Sequence, residues 1–437
     1  MENTIFFERA THSIGQGAFF SGSVRVEHER FRYIYDCGSN DPQPLRYEIA
    51  RYLESEQNEN ALDALFVSHF HKDHVQGLNQ LLAGMQVESV IIPYLSPFER
   101  ILLITEKAVE NCLNYDEIQF ISDPVEWLAS RGVNRVIFVT TGGDESPPPA
   151  DGMRTANDPQ DKRGIRFSLK DIEEIETPVP AGNGRTQPVV YFLPHTTPLN
   201  LINTNSRMMN WEFLTFIHPD LERIEKFKDA LIQVFPQFEY QDGRSISIRL
   251  DLLLPVLRNN IERGKLAGVY RNAFENLNYT TLCLYSGPAF NEATECCHLN
   301  ILNKYAVARR SSVNPQSFHG LGHLGEYHHG RVGWIATGDA PLAVAIRREE
   351  FLNHYKDRFP FCSTMTTPHH GSKHNFDTSL CERGIAYFVA TAREGNQHHP
   401  DPGVRRSVQQ SGALFFLVTE EPLTELQEHG LVYGAYR

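Results

Sequence analysis

The chain has 437 residues, of which 41% are hydrophobic and 22% are charged, and these fractions are typical of soluble globular proteins rather than disordered or fibrous ones. The formal net charge of −13 excludes a broad electrostatic attraction to polyanions or anionic membranes, so a nucleic-acid substrate would have to be held locally. The seven cysteines include no CxxC pair, no stretch is long and apolar enough to insert in a membrane, and the first residues lack a signal-peptide pattern, so we expect a cytoplasmic protein.

Strand and helix patterns alternate along the first 140 residues. SVRVEH and RYIYDC alternate apolar and polar side chains, which predicts a β-hairpin. The strands predicted after the hairpin are ALFVSH, SVIIPY and RVIFVT, and the predicted helices are QPLRYEIARYLES, the segment from Asp73 through GLNQLLAG, and residues 98–114. Such an alternation predicts a layered α/β domain.

We expect one domain over residues 1–437 with three insertions. Residues 141–186 are rich in Pro, Gly, Asp and Asn, which predicts a long loop. Residues 220–275 have a mostly helical pattern, and residues 288–330 are irregular. The remaining predicted strands are PVVYFLP, WEFLTFIHP, YTTLCLYSG, GWIATGDA, AYFVAT and ALFFLVT. We expect the insertions to shape a substrate cleft or to bind a protein partner.

Four side chains that can bind metal ions follow the apolar run ALFV. They are His69, His71, Asp73 and His74. The two histidines spaced two apart can point into one pocket, and the following turn brings the other two side chains to a second position. Imidazole and carboxylate groups suit zinc, manganese or iron, and such a pocket can hold two ions. A polar helix cap with ordinary surface histidines is the alternative, and it explains one histidine better than three.

The HFHKDH pattern resembles the signature of the metallo-β-lactamase superfamily. Asp339 in WIATGDA and His370 in TTPHHGSKHN follow in the order that the superfamily shows. The resemblance implies a four-layer αββα sandwich with large loop and helical insertions. It also implies a site for two divalent metal ions, in which Asp339 bridges the ions and His370 is the last metal histidine. Zinc is the expected metal, and manganese is the alternative.

Finer motifs resemble the metallo-β-lactamase domain of the DNA-uptake protein ComEC and its free-standing relatives. They are IGQG, DCGS, PHHGS and NQHHP, within residues 1–100 and 275–437. Ala18 stands where that group usually has an acidic residue. The resemblance implies a phosphodiesterase or nuclease that acts on DNA, RNA or a small nucleotide through a hydroxide held by two metal ions.

The same resemblance suggests roles for individual residues. We predict that Asp73 orients the hydroxide and that His399, which closes the pocket, protonates the leaving oxygen, with His369 as the alternative acid. The residues predicted to bind substrate are His369, Ser372, Lys373 and Asn396.

Two other functions stay open from the sequence. Lactonases and glyoxalases take a further metal histidine from a Gly-His turn before the bridging aspartate, and His323 in GHLGEYHHG stands at a suitable distance. A metal ligand at His323 would favour an acyl hydrolase of lactonase or thioesterase type. The other function is a non-catalytic, partner-binding component of a multi-protein system.

Overall fold

The computed structural model describes residues 4–56, 61–109, 114–141, 154–155, 164–170, 173–175, 188–218, 221–241, 245, 247–273, 280–289, 297–303 and 331–436. The described strands are β1 Thr4–Thr11, β2 Gly17–Val26, β3 Glu29–Ser39, β4 Ala61–Phe66, β5 Gln86–Pro93, β6 Arg135–Thr140, β7 Arg154–Thr155, β8 Arg166–Phe167, β9 Glu173–Ile175, β10 Val189–Pro194, β11 Leu199–Ile202, β12 Met208–Phe216, β13 Cys283–Gly287, β14 Cys297–Asn303, β15 Gly333–Ala336, β16 Cys362–Thr366, β17 Tyr387–Thr391, β18 Leu414–Val418 and β19 Leu426–Tyr433. The described helices are α1 Pro42–Ser55, α2 Lys72–Val75, α3 Leu78–Gly84, α4 Pro97–Val109, α5 Tyr115–Ser122, α6 Pro124–Ala129, α7 Leu221–Val234, α8 Leu250–Arg258, α9 Asn260–Ala273, α10 Ala345–His354 and α11 Pro402–Gln410.

The strands form two sheets. In the first sheet the order is β14-β19-β1-β2-β3-β4-β5-β6-β10-β9-β7, and in the second it is β18-β17-β16-β15-β13-β12-β11-β8. Strands β3, β4, β5, β6 and β10 are parallel neighbours in the first sheet, and β15 to β18 are parallel neighbours in the second. Parallel strands of this kind are covered on both faces, which explains their nearly continuous apolar sequences.

Successive side chains of the central strands point to opposite faces of the sheet and pack in two different cores. In β6, Ile137 and Val139 join the core between the sheets, whereas Val136 and Phe138 join the core beneath the outer helices. A third core lies on the outer face of the second sheet, where Phe351 of α10 packs. The layers therefore run helix, sheet, sheet, helix, and the predicted αββα sandwich is confirmed.

The segments predicted as insertions contribute described elements to these layers. Helices α7, α8 and α9 pack on the outer face of the first sheet through side chains such as Phe227, Leu253 and Leu266. Strand β14 extends the first sheet by pairing with β19. Much of 141–186 and 288–330 lies outside the described residues, and so does His323. None of the described helices has the length and hydropathy needed to cross a membrane.

Candidate metal centre

The candidate centre lies where parallel strands of both sheets end. His69, His71, Asp73 and His74 follow β4, Asp339 follows β15, and His369 and His370 follow β16. Ligand sites in α/β proteins commonly lie at the carboxyl ends of parallel strands, because the loops there converge on one edge. Contacts between the sheets at this edge include the N–H of Leu282, which donates to the carbonyl of Ser68 (2.8 Å), and the Thr391 hydroxyl, which donates to the carbonyl of Gly17 (2.5 Å).

Six of the predicted ligands fall into two groups. One group contains His69, His71 and Asp339, and the other contains Asp73, His74 and His370. Within each group the potential ligand atoms all lie within 4.8 Å of one another. The structure therefore brings together side chains that are nearly 300 positions apart in the chain.

The carboxylate of Asp339 lies between the groups. Its Oδ2 is 3.6 Å from Nε2 of His69, and its Oδ1 is 3.3 Å from Nε2 of His74. Nε2 of His369 is also 3.6 Å from Oδ2. Since each oxygen of this buried carboxylate faces a different group, Asp339 can serve two metal positions at once.

Several of the candidate histidine ligands have their Nδ1 in contact with a neighbouring side chain, a different one for each ring. Nδ1 of His74 contacts Asp36 (2.7 Å), and Nδ1 of His69 contacts the hydroxyl of Ser68 (2.9 Å). The Nδ1 of His370 contacts the hydroxyl of Thr391 (3.2 Å). Such partners fix the ring orientation of metal-binding histidines and set which nitrogen carries the proton.

The turn after β16 has an unusual backbone. His369 and His370 both have positive φ, at 48° and 55°, which non-glycine residues seldom adopt. The N–H of His369 donates to the carbonyl of Gly338 (2.9 Å), and the N–H of Ser372 donates to the carbonyl of His369 (2.9 Å). Backbone strain of this kind persists where the surroundings enforce it, and it is common at functional sites.

The electrostatics of the centre favour a cation. Burial, and then the charge of His74, lower the pKa of His69 well below its usual value. Burial alone would lower the pKa of His74, but Asp36 and Asp339 outweigh it and raise that pKa well above its usual value. Burial would raise the pKa of Asp339, yet His74 and His369 hold it well below its usual range. The carboxylates of Asp36 and Asp339 therefore place negative charge at both nitrogens of the His74 ring.

The donor set fits divalent metal ions. Nε2 of His69, of His74 and of His370 is buried, and none of these atoms makes a hydrogen bond within the described part of the chain. A buried nitrogen without a partner costs free energy, which a metal ion at that atom would recover. Imidazole nitrogens together with carboxylates suit zinc and manganese.

The residues predicted to bind substrate have different surroundings. The amide of Asn396 accepts from the N–H of His398 and of His399 and donates to Gln16 (3.0 Å), so it holds the loop that carries His399. The Ser372 hydroxyl accepts from the N–H of His374 inside the turn (3.2 Å). Lys373 is exposed to solvent.

His399 lies beside the centre. Its ring stacks on His369, with centroids 5.3 Å apart and planes 25° apart. Burial, and then the charge of His369, lower the pKa of His399 to about 4. The imidazole of His399 is therefore neutral at pH 7.

Sequence reasoning missed several supporting residues. Asp36 belongs to the DCGS motif, but the motif did not predict that its carboxylate is buried against His74 and Ser68. No local sequence pattern indicates that Glu106 on α4 lies with its Oε2 3.4 Å from Nε2 of His71. Burial would lower the pKa of His71, but the hydrogen bond with Glu106 raises it. The positive φ of Asp36 could not be read from DCGS, and Glu106 lies in an unremarkable amphipathic helix.

A third group of metal-binding side chains lies elsewhere. His12, Glu48 and Glu425 have ligand atoms within 4.8 Å of one another, beside a cavity of about 400 Å³. The guanidinium of Arg51 contacts both glutamates. A cation already balances these carboxylates, so we interpret this group as an ion-pair network.

Comparisons with known proteins agree with the site geometry over part of the chain. The family model described as the Metallo-beta-lactamase superfamily matches residues 17–98, which include the HFHKDH motif. This match covers β2 to β5 and the first four candidate ligands, and the two-sheet sandwich is consistent with the metallo-β-lactamase fold.

Two individual proteins show limited similarity. The anti-Pycsar protein Apyc1 of Saccharibacillus brassicae is 36% identical over 62 residues, which is 14% of this chain and 23% of that protein. The metallo-beta-lactamase fold protein YhfI from Bacillus subtilis, a crystal structure, is 13% identical with a TM-score of 0.18, covering 46% of this chain and 61% of that one. The matched segments thus span less than two thirds of either protein.

Proposed function

We propose that this protein is a metal-dependent phosphodiesterase or nuclease whose substrate is DNA, RNA or a small nucleotide. The observation that carries this proposal is the position of the Asp339 carboxylate, whose two oxygens lie 3.6 and 3.3 Å from His69 and His74 of the two ligand groups. A shared carboxylate supports a centre for two ions, and two-ion centres are common among phosphatases and nucleases.

Each ligand group would hold one cation, with Asp339 shared between them. Two bound cations would supply a hydroxide nucleophile at neutral pH and would stabilise the charge that develops on a phosphoryl oxygen. The protein's own contribution is to hold the rings: Asp36, Ser68 and Thr391 fix the nitrogen that each ring presents.

Asp73 and His399 are the proposed catalytic residues. Burial would raise the pKa of Asp73, but the imidazole of His370, whose Nε2 lies 3.5 Å from Oδ2, lowers it, so the carboxylate is ionised and can orient a nucleophile. Asn40 donates to the same carboxylate (3.3 Å) and limits its rotation. A phosphodiester anion beside the neutral His399 would raise its pKa and let it protonate the leaving oxygen.

The substrate class is inferred from motifs and charge. The ComEC-like sequences PHHGS and NQHHP supply the turn and the loop beside the centre, and these support phosphodiester rather than acyl chemistry. The net charge of −13 favours short single strands or small nucleotides over long duplexes, because a long polyanion would be repelled by the overall field.

The proposal is tested with purified protein supplied with zinc or manganese. The substrates are bis(p-nitrophenyl) phosphate, single-stranded and duplex oligonucleotides, cyclic nucleotides, a lactone and a thioester. We expect phosphodiester turnover that falls at least about 100-fold in His69→Ala and Asp339→Ala, because each change removes a ligand. The matched control is His28→Ala, which removes an exposed histidine from the turn between β2 and β3.

Acyl turnover without phosphodiester turnover would replace the proposal with a lactonase or thioesterase. An equal loss of phosphodiester turnover in His28→Ala would show that the assay does not report on the metal centre. Absence of turnover on every substrate, with both ions bound, would favour a non-catalytic role.

A further inference from the structure

Helix α4 presents a carboxylate to the metal centre. Oε2 of Glu106 lies 3.4 Å from Nε2 of His71, and 15% of the Glu106 side chain is exposed. The neighbouring Lys107 does not neutralise it, because its ammonium binds Glu117 on α5 (2.7 Å). The negative charge of Glu106 is therefore directed at His71.

His71 differs from the other histidines of the centre in the nitrogen that faces outwards. His69, His74 and His370 each give Nδ1 to an outer partner and direct Nε2 towards a carboxylate of the centre. In His71 it is Nε2 that meets an outer partner. An imidazole whose Nε2–H is donated to a carboxylate presents Nδ1 as its acceptor nitrogen.

We infer that Glu106 is a positioning residue of the metal centre: it accepts the Nε2–H of His71 and so presents Nδ1 of His71 to the first metal position. The inference rests on the proposed function only in that the centre must bind divalent cations. It requires no particular substrate.

The position of Glu106 is held by the start of its helix. The N–H of Ser96 donates to Glu99 (2.6 Å) and the N–H of Glu99 donates to the Ser96 hydroxyl (3.3 Å), which together form a capping box. Glu99 also accepts from the hydroxyl of Thr280 (3.3 Å), near the strand that pairs with β15. Glu99 and Glu106 are seven residues apart, so they lie on the same face of α4. The hydrogen bonds of Glu99 therefore hold the face of α4 that also carries Glu106.

The geometry favours positioning over direct ligation. The ligand atoms of His69, His71 and Asp339 lie within 4.8 Å of one another, and among the described residues Glu106 is not a member of that group. Within the described part of the chain, the contact of its carboxylate with this group is made to His71, at 3.4 Å. A residue that orients a ligand in this way changes metal affinity without changing the number of ligands.

The test measures zinc affinity by competition with a chromophoric chelator, in the absence of any substrate. Removing the acceptor in Glu106→Ala is expected to weaken binding at one of two zinc positions by about 10- to 100-fold. Glu106→Gln keeps an amide oxygen that can accept the Nε2–H, so its affinity is expected to stay within about threefold of the unmodified protein. Histidine ¹⁵N spectra of the zinc-loaded protein should show the assigned ring of His71 with its proton on Nε2 and its Nδ1 bound to the metal, in the unmodified protein and in Glu106→Gln.

The matched control is Glu349→Ala, which removes an exposed carboxylate on α10 and should leave zinc affinity unchanged. Unchanged affinity in Glu106→Ala would overturn the inference. So would an equal loss in Glu106→Gln and Glu106→Ala, since that result would make the carboxylate itself a ligand. If the variants behave as expected but no phosphodiester is cleaved, the inference stands and the proposed function fails. If the unmodified protein binds no zinc, both fail.

Discussion

The carboxylate of Asp36 contacts His74 directly and contacts His69 through the hydroxyl of Ser68. It accepts from the N–H of Ser68 (2.6 Å), from the Ser68 hydroxyl (2.6 Å) and from Nδ1 of His74 (2.7 Å). The same hydroxyl contacts His69. Asp36 is fully buried with φ of 57°, a conformation that asparagine also tolerates. Its charge can therefore be removed without a new backbone strain.

We predict that Asp36→Asn weakens zinc binding by about 10- to 100-fold. The amide group would place N–H donors against the N–H of Ser68 or the ring of His74, and both rings would lose their orientation. The measurement is chelator competition on the folded variant. Zinc affinity equal to that of the unmodified protein would show that Asp36 does not orient these ligands.

Asp63 gives the protein a pH dependence that is independent of the centre. Burial raises the pKa of Asp63 to about 7, although the N–H of Arg32 donates to its carboxylate (2.7 Å) and opposes the rise. The ordinary pKa of aspartate, which applies to the unfolded chain, is about 4. The folded state therefore binds the proton more tightly, and the stability that this proton contributes is lost as the pH rises from about 4 to about 7.

We predict that Asp63→Asn raises Tm at pH 8 by roughly 1 to 3 °C, because the amide removes the cost of ionisation and still accepts from Arg32. The gain should shrink as the pH falls to 5. The control is Asp229→Asn, at an exposed position on α7. A gain in Tm that does not depend on pH would contradict the assigned cause.

At the scale of single residues, the sequence indicated the candidate ligands but not the side chains that contact them. The ligands lie in short motifs whose residue types state their chemistry, and the structure places six of them in two groups. Asp36, Thr391 and Glu106 are ordinary residues far from their partners in the chain. Only the folded geometry shows which ring each one faces.

Helix α2 carries two candidate ligands and packs directly on β3. A Cβ atom added to Gly38 would lie 2.4 Å from the carbonyl carbon of His74 and 2.5 Å from the backbone nitrogens of His74 and Val75. Backbone atoms cannot rotate away, so any side chain at position 38 would displace the helix.

We predict that Gly38→Ala destabilises the protein by about 1 to 3 kcal/mol and weakens zinc binding, because α2 must move away from β3. Urea unfolding and chelator competition measure the two effects. Gly264→Ala in the exposed part of α9 is the control, since its added Cβ meets open space. That change should stabilise the protein by about 0.5 to 1 kcal/mol. Normal zinc affinity in Gly38→Ala would show that α2 is not held by this contact.

Sequence patterns predicted most of the strands around the centre but not every helix boundary. Parallel strands buried on both faces have apolar runs that are easy to recognise. One helix was predicted from Asp73 through Gly84, whereas the structure has α2 and α3 with a break between them. At the break, the N–H of Gly77 donates to the carbonyl of Cys37 (2.8 Å), a contact with a distant strand that no local pattern reveals.

Across the whole molecule, the centre joins two distant parts of the chain. Its ligand groups combine residues 69–74 with residues 339–370. A cation bound by both parts stabilises the folded state relative to the unfolded chain. At a free concentration 100 times the Kd, one site contributes about 2.7 kcal/mol.

We therefore predict that a strong chelator lowers Tm by at least about 3 °C and that added zinc restores it. The shift should be smaller in His69→Ala, which loses a ligand of one of the two groups, and undiminished in His28→Ala. A Tm that is the same with and without chelator in the unmodified protein would show that no cation links the two parts.

The layered fold followed from the alternation of strand and helix patterns and from the HFHKDH motif. The sequence did not indicate that α7, α8 and α9 complete the helical layer over the first sheet, because an amphipathic helix does not specify which surface it covers. It also did not indicate that β14 pairs with β19, a long-range contact within a segment of irregular composition.

The most direct test is the metal content of the purified protein after loading with zinc and removal of excess ions. We predict two zinc ions per chain for the unmodified protein and for His28→Ala, and at most one for Asp339→Ala, because the shared carboxylate is removed. No bound metal in the unmodified protein, or two ions in Asp339→Ala, would contradict a centre that Asp339 bridges.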